Sequence, residues 1–592
     1  VLFEGGKTFT GNIELDALDG NVALKPVVFS TYGLGRATIN TTVTNKCGFK
    51  ATNLQGVHLR NLVFKGPGNG TQKDIDGILF FTDKPSGYLS NIALTNVEVF
   101  GFGFCGMRFY SSWTATVKAG YRGVRIDSCS VHDCRENGIV SFAYDDQTTN
   151  FYHHRDFQIR NTEVYNIAGY AAGSHKGSGI VLSQIDYSVI ERCVAYNTGT
   201  LNSACGGPGG IWVWSADNVT IQYCESHHNS SGSSTGCDGL GFDLDGGVTN
   251  SIVQYCYSHD NDGAGYLLGN FTGARAWGSN TVRYNISIND ARTNNSAVTL
   301  FTAPNTTWNG LNFYNNTVYL SGSTKNKYTT FGAFQMTDYG TNMSGVKCYN
   351  NIFQVSGSGS AGPLSLVHVP ATFLPQNPVF IGNLYWSSGS TFKINYGISY
   401  SSLSAFRATG NEKLNGNSVG VEADPVLTGV ANAASLLYPK DNNSLSQFQL
   451  VSSSPAKDAG LDLLKDMGLS VGARDFWGSS IPIGTKYDIG AHEYGGVVSS
   501  VADGLKKTYF HIQSNPITNG VLEVELNLSS QKGNQFLLMD ITGKTVYLEQ
   551  KYDHINGTEM SMDVSNLPSG MYWLTLTIDN QRLQTAQVVI YQ

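Results

Sequence analysis

The sequence predicts an all-β protein: a long stacked coil of short strands, followed by a small C-terminal β-sandwich. Three observations lead there. The chain has 592 residues, beyond the ~250–300 at which one compact core stops growing. Only 14% of residues are charged, while Gly, Tyr and Phe number 68, 31 and 29, a poor composition for long Lys- and Glu-rich surface helices. And Cys193, Cys224 and Cys256 recur at intervals of 31 and 32 residues, a period that belongs to repeat architectures.

The repeat is explicit when the segments are aligned. Cys129-Ser-Val-His-Asp-Cys-Arg-Glu-Asn-Gly138, Cys193-Val-Ala-Tyr-Asn197, Cys224-Glu-Ser-His-His-Asn229 and Cys256-Tyr-Ser-His-Asp-Asn261 share one register, which continues at Ile288-Asn-Asp290 and Tyr314-Asn-Asn-Thr317. Between them lie short alternating runs such as Gly106-Met-Arg-Phe-Tyr110, Gly210-Ile-Trp-Val-Trp214 and Gly239-Leu-Gly-Phe-Asp-Leu-Asp245. A unit of roughly 30 residues without a helix cannot bury its inner face alone. Stacked at ~4.8 Å, such units pair their backbones and share one core. The cysteines read as an inward column of small hydrophobes. Cys205 and Cys237 fall at equivalent bends, where a disulfide is compatible with the register.

The opening Phe3-Glu-Gly-Gly-Lys-Thr-Phe9, the Ser-His-Asp-Asn coil motif, Ser454-Pro-Ala-Lys-Asp-Ala-Gly460 and Asp488-Ile-Gly-Ala-His-Glu493 resemble right-handed parallel β-helix proteins of the pectate-lyase-like superfamily. The resemblance implies a right-handed parallel β-helix over residues 1–497. That superfamily holds lyases, hydrolases, epimerases and tail-spike proteins, so it fixes no reaction. Coil regularity fades after Gln354, and residues 376–430 read as an excursion with a short helix near Ser401–Phe406.

From Leu505 the texture changes to Leu522-Glu-Val-Glu-Leu526, Gln535–Asp540, Thr545–Leu548 and Met571-Tyr-Trp-Leu-Thr-Leu-Thr577, separated by turn signals. Residues 502–592 therefore form the β-sandwich. Asn515-Pro516, Gly520, Asp540-Ile-Thr-Gly-Lys544, Asn566-Leu-Pro-Ser-Gly-Met-Tyr572 and the closing Gln587-Val-Val-Ile-Tyr-Gln592 resemble the C-terminal sorting domain of the type IX secretion system. The resemblance implies outer-membrane secretion machinery as a partner, and a location outside the cell or on the bacterial surface. The chain begins at Val1 without a Met, so a start truncated past its leader is expected. A net charge of −7 with no basic block argues against nucleic acid. No apolar run reaches the ~18 residues that suggest a membrane span. A monomer is expected.

A filled coil leaves function to the outer face and the bends. Strand alternation assigns that face. With Ile211, Val213, Phe242 and Leu244 inward, Trp212, Trp214, Asp243 and Asp245 point out; so do Arg108 and Tyr110. Asp243 and Asp245 have Cα atoms about 6.6–7 Å apart, close to the ~6.5–9.5 Å carboxyl spacing of an inverting acid/base pair. Two close carboxyls also push their pKa values apart. Asp238, in the preceding bend, is a third member.

This points to a secreted glycoside hydrolase acting on a polysaccharide along an open groove. Asp243, Asp245 and Asp238 would be catalytic, and Trp212, Trp214 and Tyr110 would stack on sugar rings from exposed positions. Arg108, His227, His175 and Lys176 would contact substrate. No cofactor is required by this chemistry, although Ca²⁺ is an alternative occupant of three carboxylates. A lyase using Lys176 or His175 as base, and a non-catalytic glycan-binding coil, stay open as alternatives.

Overall fold

The computed structural model describes residues 1–42, 45–70, 75–171, 176–204, 206–232, 237–337, 339–340, 342–360, 362–389, 391–427, 442–484, 486–496, 510–512, 517, 520–526, 534–540, 545–552, 559–578 and 581–590. Two units divide the chain, Val1–Val497 and Val498–Gln592.

The first unit is a right-handed parallel β-helix. Parallel strands stack coil on coil into a 28-stranded sheet, which turns one corner of the coil, and a 14-stranded sheet opposite. Registers follow the predicted alternation. Met107 lies against Ile139, Ile180 against Ile211, and Ile211 against Phe242. Like therefore stacks on like inside the coil. Phe80 and Phe109 lie parallel with ring centroids 5.1 Å apart, an offset geometry that adds to their burial.

The cysteine column is inward, as its spacing predicts: Cys193, Cys224 and Cys256 are fully buried, and the eight described cysteines outside the Cys237 bridge are free thiols. Burial pushes the Cys129 thiol up to about 12, so it packs as a hydrophobe. Cys237 is disulfide-bonded; Cys205 lies outside the described residues.

Past Cys256 the same column changes chemistry. Asn285 Nδ2 donates to Asn316 Oδ1, Asn316 to Asn351 and Asn351 to Asn383, each at 3.0 Å. Asn383 Nδ2 then donates to Glu412 Oε1 at 2.8 Å. Every one of these amides also donates to a backbone carbonyl of the preceding coil. Buried amides are tolerated only when satisfied in this way.

The coil's sharp corners use single residues in the left-handed region. At one corner these are Asn161, Arg192, Tyr223, Tyr255, Tyr284, Asn315 and Asn350. Asn is favoured there because its short polar side chain bonds locally.

Coil winding extends into the segment expected to be an excursion. Val379–Ile381 pairs with Met343–Tyr349, Leu384–Ser388 with Ile352–Ser356, and Val421–Glu422 with Leu384–Ser388. The helix there spans Leu403–Phe406, started by the Ser402 side chain accepting from the Ala405 N–H. Ser454–Gly460 and Asp488–Glu493 contribute no strand to the stacked coils. The segment from Leu445 to Ala491 runs back along the outside of earlier coils. Leu445, Phe448, Val471, Phe476 and Trp477 pack on Tyr255, Tyr257, Tyr284 and Tyr314, and Asn315 donates to the carbonyls of Asp488 and Gly490. This strap covers apolar outer positions that water would otherwise meet.

The second unit holds a three-stranded and a four-stranded antiparallel sheet around Ile517, Leu522, Val524, Phe536, Leu538, Leu574 and Leu576. Ser514, Asn515, Pro516 and residues 541–544 lie outside the described residues.

Candidate active site

The strand Leu240–Leu244 places its residues by strict alternation. Phe242 and Leu244 enter the core, and Asp243 lies on the outer face between Trp212 of one neighbouring coil and Leu267 of the other. The Asp245 N–H donates to the Val213 carbonyl at 2.9 Å, which keeps Asp245 on the same face as Asp243. The chain then turns at Gly246 and Gly247. A Cβ on Gly246 would sit 2.3 Å from the Phe271 ring, so Gly is what lets that ring close over the acidic strand.

The face is outward but not open. Asp243 is 4% exposed, Asp245 9% and Trp212 5%. Trp212 and Trp214 were expected in water. Instead Trp212 is buried with Val140 and Val181, and Trp214 is half-buried against Phe142 and Phe271. Alternation reports the side of a strand, whereas the covering rings arrive from other coils. Beside them Trp113 does meet solvent, 47% exposed and stacked on Phe142 at 4.9 Å. No repeat register marks it, since it lies just beyond the strand Met107–Ser111.

Burial sets the electrostatics of the pair. Asp243 is pushed well above the carboxylate range by burial, then by the charges of Asp245 and Asp238. Asp245 is pushed up to about 7, by burial first, against the pull of the Gly246 N–H. The Oδ1 atoms of both are buried without a hydrogen-bond partner among the described residues. A buried acceptor left unmade costs about 1–3 kcal/mol, so the arrangement is expensive for the fold and poised for a donor from outside. Asp238 has a structural task as well: its Oδ2 accepts the Gly207 N–H at 2.7 Å, and its backbone is left-handed.

The predicted cations are committed elsewhere. Arg108 donates from Nε and Nη2 to Asp76 at 3.1 and 2.7 Å and lies over the rings of Phe104 and Tyr110. Asp76 is itself raised to about 6, burial outweighing the arginine. Lys176 is paired with Glu136, which also accepts from the Tyr170 hydroxyl. Tyr110 is half-buried and its hydroxyl accepts the Trp113 N–H at 3.2 Å. His175 lies outside the described residues.

His227 belongs to a different sheet from Asp243. It is 6% exposed in a column of rings on the outer face of the 14-stranded sheet: Phe100, His132, Tyr165, Tyr196, His227 and His259, each 4.7–5.1 Å from the next. Among the described residues, two groups bring three potential metal-ligand atoms within 4.8 Å: Glu225, His227 and His259; and His228, His259 and Asp260. Both need a lone pair on His259. Its Nε2 faces Glu225 at 3.0 Å and its Nδ1 faces Asp260 at 2.9 Å. Although burial opposes the charge, these two carboxylates carry His259 up to about 9, and the protonated ring donates at both nitrogens.

Residues 514–591 match the family model of the secretion system C-terminal sorting domain. The C-terminal unit is a type IX sorting domain. It directs the chain out of the cell and to the bacterial surface, and the secretion machinery is its partner. No curated protein matches the chain. Solved structures similar to it include a lacto-N-biosidase of glycoside hydrolase family 136 from Eubacterium ramulus, at 15% identity and a TM-score of 0.35, covering 52% of this chain and 59% of that one. A mannuronan C-5 epimerase A-module from Azotobacter vinelandii shows 15% identity and a TM-score of 0.39, covering 58% and 85%. A mannuronic acid specific polysaccharide family 6 lyase from human gut microbiota shows 11% identity and a TM-score of 0.28, covering 72% and 85%. The chain spans less than two thirds of the first of these.

Proposed function

We propose that the β-helix is a secreted glycoside hydrolase that cleaves a polysaccharide with Asp243 and Asp245. The observation that carries this reading is the pair itself: two carboxyls on one strand face, both buried, with their ionisations pushed apart from the ordinary range. Asp243, raised well above the carboxylate range, keeps its proton near neutrality and donates it to the leaving glycosidic oxygen. Asp245, half-ionised near pH 7, takes a proton from the attacking water. Matching pKa values to the working pH is what acid/base catalysis requires. Asp238 adds negative charge to the pair and holds the neighbouring bend.

The ion pairs support hydrolysis over β-elimination. A lyase needs a cation at the uronate, and Arg108 and Lys176 are already neutralised by Asp76 and Glu136. The test is digestion of algal, plant and microbial polysaccharides by the parent chain and by Asp243→Asn and Asp245→Asn. New reducing ends from the parent, lost in both variants, support the reading. Reducing ends released equally by all three chains, or an ultraviolet-absorbing unsaturated product, sink it.

A further inference from the structure

A second concavity lies on the same coils, around the corner from the acidic strand. It encloses about 500 Å³ and is lined by Tyr152, Arg155, Asp186, Tyr187, Asp217, Asn250 and Asn309, among others. One wall is the excursion that leaves the coil after Phe142. That wall is fixed in place: Arg275 donates to the carbonyls of Asp146 and Phe151 and lies over the Tyr152 ring, while Asp145 accepts from Ser215 at 3.0 Å.

The corner itself is a column of left-handed residues, one per coil: Gly123, Asp156, Tyr187, Asn218, Asn250, Ser279, Gly310 and Gly345. Seven are Gly, Asp, Asn or Ser, the residues that tolerate this conformation. Tyr187 is the exception, at φ +49°, and it is 57% exposed. At the next corner along the coil, past the strand Val189–Glu191, this fold also places tyrosines in left-handed positions, and there the strap covers them: Tyr255 and Tyr284 are buried against Val471, Phe476 and Trp477, with the Tyr255 hydroxyl donating to the Arg474 carbonyl. The aromatic corner is covered by the strap in one case, and in the other it is left 57% exposed with the Arg155 guanidinium against the ring. Strain held at an exposed position marks a site of function.

We propose that this corner groove is a glycan-binding site, separate from the Asp243–Asp245 pair, for one or two units of a neutral sugar. Tyr187 supplies an aromatic platform, braced by the Arg155 guanidinium 5.3 Å from its ring centroid. Arg155 is in turn held by Asp186, so its charge is spent. Asp217 accepts from Thr249 and Asn250 at 2.6 and 2.8 Å, which orients amide and hydroxyl groups around the groove. Alternating donors and acceptors beside an aromatic face suit a ring of hydroxyl groups. The charges of Arg155 and Asp186 cancel, leaving that of Asp217, so an acidic sugar is disfavoured.

The test uses the full chain carrying Asp243→Asn and Asp245→Asn, so that cleavage does not consume the probe and a chain that cleaves nothing can still pass. Cellobiose, laminaribiose, mannobiose, galactobiose and xylobiose are titrated by calorimetry and saturation-transfer NMR, with digalacturonate as the acidic comparison. At least one neutral disaccharide should bind. Adding Tyr187→Asn should weaken it by about fivefold or more, the scale of a lost aromatic contact. Asn suits the left-handed corner, so the ring is removed without forcing the backbone. Tyr339→Ala, at another exposed tyrosine, should change nothing. The proposal is overturned if no neutral disaccharide binds, if binding survives Tyr187→Asn, or if digalacturonate is preferred.

Discussion

Asp245→Asn should make the chain more stable at pH 8 and less stable at pH 4. In the fold Asp245 titrates near 7, against 3.8 for a free side chain. Between those values the folded state holds a proton that the unfolded state has released, so stability falls as pH rises from 3.8 to 7 and is level beyond. At about 1.36 kcal/mol per pH unit, the ionised form costs the fold roughly 4 kcal/mol at pH 8. The amide removes that cost. It introduces an N–H where the Asp245 Oδ1 has no hydrogen-bond partner among the described residues, set at about 1–3 kcal/mol against it. The net is a gain of roughly 1–3 kcal/mol at pH 8 and a loss of about 1–3 kcal/mol at pH 4. Denaturant unfolding of the full chain, followed by tryptophan fluorescence at both pH values, reads the difference directly. A variant destabilised to the same extent at both would falsify the reasoning, because it would mean that a partner holds the carboxylate in its charged form.

Activity should rise with pH to near 7 as Asp245 ionises and fall at higher pH as Asp243 loses its proton; a profile flat from pH 5 to 9 would remove both from acid/base roles. Asp243→Asn should lower kcat by about 10²-fold or more while leaving KM within a few-fold, measured on whichever polysaccharide the parent cleaves. His259 titrates near 9 in the fold against 6.5, so its imidazolium contributes roughly 3 kcal/mol below pH 6.5 that is lost as pH rises through 9. Glu225→Gln should forfeit about half of this at pH 6, and the gap between variant and parent unfolding midpoints should narrow above pH 9. Asn316→Ala removes an amide bonded on both sides, and should cost about 2–4 kcal/mol, detectable as a lowered melting temperature with unchanged catalysis.

Much of the coil was legible because its information is periodic. The spacing of Cys193, Cys224 and Cys256 gave the repeat, and alternation in Gly239–Asp245 placed Asp243 and Asp245 on the outer face. What alternation does not contain is the layer above that face. Trp212 was placed on the correct side of its strand, yet rings from other coils bury it. The strap that covers Tyr255 comes from residue 474, 219 positions away, and no local pattern encodes that contact. Arg108 and Lys176 looked free because their partners, Asp76 and Glu136, lie 32 and 40 residues earlier. The groove at Tyr187 was invisible for a related reason: a tyrosine in a bend reads as ordinary until its column shows that every neighbour is small or turn-forming.

The amide column has a direction. Each Asn passes a donor toward the C-terminal coils, and Glu412, whose Oε1 also takes the Tyr385 hydroxyl at 2.7 Å, is the acceptor at the end of the line. The column thus behaves as a polymer with a capped terminus, and growth has a quantum of one coil. A duplicated coil spliced between Asn316 and Asn351 lengthens the chain of amides and leaves both ends as they were, in keeping with nearest-neighbour energetics of stacked repeats. Removing the Glu412 coil strips the terminus instead, and the defect falls on Asn383, deep in the core. Length in this architecture is therefore editable from the middle and protected at the end.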